Sequence, residues 1–176
     1  MKPIRTRARW ILITCSALFS ASAIAGIPSA ANECFSDLVE TTPSSDFTTL
    51  DGGAVVRHRL TGLEWRRCPE GMDWTGTNCS GLPGLYSWQG ALLRADLASG
   101  WRLPNVNELR SIVERCRRNP AVNPQVFPDT PWSGFWSASP WPGFTGGAWD
   151  VGFGSGGDGW SAKHLERHVR LVRGVQ

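Results

Sequence analysis

Apolar and polar positions are first blocked along this chain and only later alternate. Residues 1–25 open with basic Lys2, Arg5, Arg7 and Arg9, followed by an apolar run from Trp10 through Leu18 and Phe19 to Ile24. Residues 26–50 are rich in Thr, Ser and Pro and predict an irregular N-terminal arm. A hairpin follows. Residues 55–58 are short and β-branched, and Leu63 and Trp65 alternate with Glu64 and Arg66, the period of a half-buried strand. Thr61-Gly62 supplies the turn between them. Ser87 then caps a helix whose Trp88, Ala91, Leu92 and Ala95 share one face, with Gly100 standing past its end. A second helix starts after Pro104. Asn105 and Glu108 have capping-box spacing, and Val106, Leu109, Ile112, Val113 and Cys116 form the buried stripe. Arg117-Arg118-Asn119-Pro120 ends it, with cations at the favourable pole. Short strands are expected at 135–138, 148–153 and 169–172, joined by glycine loops. Two helices flanked by hairpins make an α+β domain with short antiparallel strands.

The first block reads as a secretory signal peptide: a basic start, a short apolar middle and Ala23-Ile24-Ala25 at its end. Thr14, Ser16, Ser20 and Ser22 interrupt the apolar run, which is too broken for the roughly 20 residues a membrane span needs. Cleavage after Ala25 or after Ala31 both fit, and the mature protein is expected in the periplasm, at the cell surface or in the medium, with no membrane span. Export changes the charge. The whole chain has 18 basic and 15 acidic residues, net +3; without the four cations of residues 1–25 it has 14 against 15, net −1. Such a near-neutral chain is weak ground for a nucleic-acid binder.

Five cysteines become four once Cys15 leaves, an even number that implies disulfides in an exported chain. Cys68 and Cys79 bracket a polar loop and pair with each other, which leaves Cys34 for Cys116. No C-x-x-C occurs, and His58, His164 and His168 lie far from the cysteines in sequence, so neither a metal nor another cofactor is expected. H-E-x-x-H, G-x-S-x-G and a glycine-rich phosphate loop are also absent, which points away from an enzyme.

Several stretches, taken in order, resemble the Lcl C-terminal domain family, named for the C-terminal domain of a Legionella collagen-like adhesin. They are Thr61-Gly62-Leu63-Glu64-Trp65, Cys68 and Cys79, Trp101-Arg102-Leu103-Pro104 through Glu108-Leu109, Phe127-Pro128, Phe135-Trp136-Ser137-Ala138-Ser139, Ala148-Trp149 and Val169 to Arg173. The resemblance places that domain at residues 51–174. It implies a C-type-lectin-like fold and an adhesin-like role, with a glycan or surface protein as ligand and a possible homo-oligomer. The family's best-known member binds sulfated glycosaminoglycans through a basic trimer. This chain has no Gly-X-Y tract, its mature charge is −1, and Glu64 stands where relatives usually carry an apolar residue. A structural or assembly role in the envelope is the alternative. The tail also resembles the variable segments of retroelement-diversified lectin-fold proteins that bind receptors.

Between Pro131 and Ser161 the chain holds five Trp and nine Gly, with no Lys or Arg from Pro131 to Ala162. Indole faces stack on sugar rings at low entropy cost, and glycines let backbone and ligand approach closely. The candidate ligand-binding residues are therefore Trp141, Trp149, Asp150, Asp158, Trp160 and His164. Trp65, Trp88, Trp101 and Trp136 are assigned to the core; for Trp141 and Trp160 core and ligand contact are equally open. The Trp101–Asn105 block is read as core and caps, with Arg102 paired to an unnamed carboxylate. Arg66, Arg67, Arg115, Arg117 and Arg118 are read as surface charge rather than as a converging patch.

Overall fold

The computed structural model describes residues 33–174. The expected signal peptide, with both of its cleavage positions, lies outside the described residues. The strands are β1 (Phe47–Leu50), β2 (Val55–His58), β3 (Glu64–Arg66), β4 (Asp73–Trp74), β5 (Cys79–Ser80), β6 (Gly134–Pro140), β7 (Gly147–Gly152), β8 (Gly157–Ala162) and β9 (Val172–Arg173). The helices are α1 (Trp88–Leu97) and α2 (Val106–Arg110). The strands form sheets in the orders β1-β2-β3-β9, β4-β5 and β6-β7-β8, and their pairings are antiparallel. The architecture is α+β, braced by Cys34–Cys116 and Cys68–Cys79, with Cα–Cα separations of 4.8 and 5.6 Å.

Alternation along β6 and β7 explains how the helices are placed. Phe135 and Val151 face a core shared with Leu109 of α2, whereas Trp136 and Ala148, one and three positions away on the same strands, face a second core shared with Ala91 and Ala95 of α1. The β6-β7-β8 sheet is thus covered on opposite faces by α2 and α1. The closing segment ties these layers together. Arg167 bridges Tyr86, His168 bridges Phe135, and Val172 bridges Arg102.

Both predicted helix starts are as read. Ser87 Oγ accepts from the Gly90 amide at 3.2 Å, and Asn105 and Glu108 close a reciprocal capping box. Helix α2 is shorter than its apolar stripe. It stops at Arg110, because the Glu114 amide donates to Ala121 O instead of continuing the helix. Ile112, Val113 and Cys116 are buried all the same, as a packed irregular segment.

The arm of residues 26–50 is more ordered at its end than expected: residues 47–50 join the sheet as β1. The buried Glu114 carboxylate holds the arm, accepting from the amides and hydroxyls of Thr41 and Thr42 at 2.7–3.0 Å. Strand β8, containing Gly157 and Gly159, was not expected; pairing with β7 makes it a strand.

Trp65 and Trp136 are fully buried, while Trp88 and Trp101 sit half-buried at the edge of the α1 core. Glu64 is buried because two guanidiniums, those of Arg57 and Arg173, bond its carboxylate at 2.6–3.0 Å. Arg170 is wholly buried. Its guanidinium donates to the carbonyls of Arg66 and Arg67 and to Thr130 Oγ1, and lies 4.8 Å from the Phe127 ring centre. Burial, and secondarily Arg67, pushes its pKa down to about 9.

Candidate functional site

At the end of β6 the register with β7 shifts, and the chain leaves the sheet through a loop closed by Trp141 N–H to Gly147 O at 3.1 Å. This throws the Trp141 ring against Trp149 in an edge contact, with centroids 4.4 Å apart. Trp149 and Trp160 are cross-strand partners on β7 and β8. Trp160 is near-parallel to Trp141 at 6.2 Å, and Phe144 meets Trp160 edge-on at 5.9 Å. Gly147 makes this possible: a Cβ there would lie 3.1 Å from the Trp160 ring and 3.3 Å from Trp141 Cβ. The outcome is an aromatic ledge whose outer rings, Trp160 and Phe144, are about half exposed at 49% and 51%.

The period of two along β8 puts Asp158 on the same face as Trp160. There it meets Arg110, the last residue of α2, in an ion pair. The same guanidinium lies 5.3 Å from the Trp149 ring centre and donates to Asn107 Oδ1 at 3.1 Å. Arg110 holds the Asp158 carboxyl below its ordinary pKa, and Asp158 in turn raises that of Arg110. The ledge therefore ends in a fixed charge pair with an amide beside it.

Not all of the six candidates converge. Trp141, Trp149, Asp158 and Trp160 share the ledge face. Asp150, by the same alternation, points to the opposite face, where Oδ2 accepts from Ser161 Oγ at 2.8 Å and Arg167 Nε at 2.9 Å. Its carboxylate is engaged there by two partners of the fold and does not lie on the ledge face. His164 is exposed, but it lies beside the start of α1 with Ser87, Trp88 and Gln89, away from the ledge face. Arg110, Asn107 and Phe144 were missed. The absence of cations in the tail facing an acidic Asp158 is the one hint in the sequence that a cation arrives from elsewhere.

The remaining readings resolve locally. Arg102 pairs with Glu108 through two bonds of 2.6 and 2.7 Å. Arg66 bonds Glu70, Arg67 bonds the carbonyls of Gly53, Gln125 and Val126, and Arg117 bonds Glu40, so these cations are committed on separate elements. Among the described residues, the grouping with metal-ligand spacing is Cys34, Glu114 and Cys116, whose two sulfurs are bonded to each other.

Comparison with known proteins adds the family. The model of the Lcl C-terminal domain matches residues 54–173. No curated protein and no solved structure matches the chain. A match over most of the chain, on the segment that contains both helices and the aromatic ledge, shows that this protein belongs to the Lcl C-terminal domain family.

Proposed function

We propose that this protein is an exported, non-enzymatic binding module of adhesin type that recognises a neutral glycan on its aromatic ledge. One observation carries the reading: the half-exposed Trp160, backed by Trp141, lies on the same face as the Asp158–Arg110 pair. A sugar ring offers an apolar face to an indole and hydroxyls at its rim. Asp158, kept ionised by Arg110, accepts from those hydroxyls; it does not serve as a proton donor. The basic-then-apolar N-terminus and two disulfides support export. Two helices on short antiparallel sheets support relating the domain to C-type-lectin-like folds.

The test is a glycan array probed with the purified mature chain. Trp160→Ala is expected to remove binding while leaving the thermal midpoint within a few degrees, since the ring is half in solvent. Arg117→Ala with Arg118→Ala, and raised salt, are expected to change affinity little, because the contact is not a polyanion screened by ions. Binding abolished by salt and by the arginine pair, yet intact in Trp160→Ala, would instead show a sulfated glycan held by charge.

A further inference from the structure

We infer that the ledge is one end of a longer site, and that a groove at the start of α1 is a second saccharide subsite, so that the ligand is an oligosaccharide chain. The inference rests on the glycan reading above. The groove, of about 670 Å³, is lined by Ser87, Trp88, Gln89, Leu92, Lys163 and His164. Its size and mixed lining suit a ring: Trp88 and Leu92 give apolar area, while Gln89 and His164 are exposed hydrogen-bonding side chains. It is a built feature. Lys163 Nζ sits 4.3 Å from the Trp88 ring centre and donates to Thr145 O at 2.8 Å, and the Trp88 amide donates to Lys163 O at 3.0 Å.

Continuity with the ledge comes from the 141–147 loop, which serves both. On one side Phe144 packs on Trp160, and Gly147 lies against the Trp160 ring and Trp141 Cβ. On the other, the Lys163 amide donates to Gly146 O at 2.7 Å. Trp160 and Lys163 are three residues apart, about 10 Å of extended chain. A chain of rings stacked on Trp160 passes over this loop and reaches Trp88 from the other face of the sheet. His164, which the ledge leaves out, then contacts ligand after all.

The experiment measures affinity for immobilised β-glucan, chitin and galactan oligosaccharides of one to six rings. The recognised series is expected to bind at least tenfold more tightly at four rings than at two. The double variant Gln89→Ala, His164→Ala, at two exposed positions, is expected to abolish that gain and leave two-ring binding unchanged. Equal affinity at two and four rings, or a length gain that survives the double variant, overturns the second subsite and leaves the ledge standing. Wild-type binding by Trp160→Ala, or no binding of any series, overturns the ledge reading and this inference together.

Discussion

His58 and His168 are both buried, and burial lowers the pKa of each below 6.5. Asp46 partly opposes this at His58, and the 2.9 Å bond from His168 Nδ1–H to Gly84 O partly opposes it at His168. A base with a depressed folded pKa takes up its proton more readily when unfolded. Its contribution to stability is therefore whole above pH 6.5 and lost as pH falls through the folded value. Urea midpoints are expected to drop between about pH 7 and 5, before ordinary carboxyl groups titrate. The variant His58→Asn, His168→Asn should flatten that slope, whatever its absolute stability; an unchanged slope would place the effect elsewhere. The sequence placed Trp136 in the core but left Trp160 open between core and surface. Trp136 and Trp160 both stand in glycine- and serine-rich surroundings. Trp136 is buried because α1 covers its face of the sheet, and its indole N–H donates to Tyr86 O at 2.8 Å. Trp160 is half exposed within an edge strand, β8.

Among the elements, α2 links stability to the site most directly. It is only five residues long, yet it presents Arg110 to Asp158 and Trp149. Asn105→Ala removes a cap bond of 2.9 Å and is expected to cost about 1 kcal/mol in chemical denaturation. Because the helix is short, the fraying should reach Arg110 and weaken the proposed glycan binding several-fold, although Asn105 itself is not on the ledge. Unchanged affinity in a destabilised variant would show that Arg110 is held by the sheet alone. Local signals worked where the bonds are local. Ser87, Asn105 and Glu108 satisfy helix ends within a few residues, so their spacing was sufficient. The C-terminal end of α2 was not legible, since it depends on Glu114 bonding Ala121 and the arm. Strand β8 was hidden for a similar reason: its glycines are poor strand formers, and β7 supplies the ladder.

For the whole molecule, the two disulfides stand at different scales. Cys34–Cys116 joins positions 82 apart and Cys68–Cys79 positions 11 apart. Loop-closure entropy gives about 4.5 kcal/mol for the first and about 2.8 kcal/mol for the second. Cys34→Ser with Cys116→Ser is therefore expected to lower the unfolding free energy more than Cys68→Ser with Cys79→Ser, by about 1–2 kcal/mol. Guanidinium titration of the two double variants checks the order. The reverse order would show that the arm detaches without loosening the rest of the fold.

What the sequence determined by itself is what short-range chemistry controls: both helix starts, the β2–β3 hairpin, the two cysteine pairs, the α+β class and the wealth of indoles in the tail. Tertiary structure decided the sidedness. Adjacent residues on a strand point to opposite faces, so the strand expected at 148–153 already parts Trp149 from Asp150, but which neighbours each face meets was open until the covering helices were known. Once α2 lay on one face and α1 on the other, Trp149 joined the ledge and Asp150 turned inward to Arg167. The cation beside the ledge likewise comes from Arg110, 48 residues before Asp158, a distance that only folding closes.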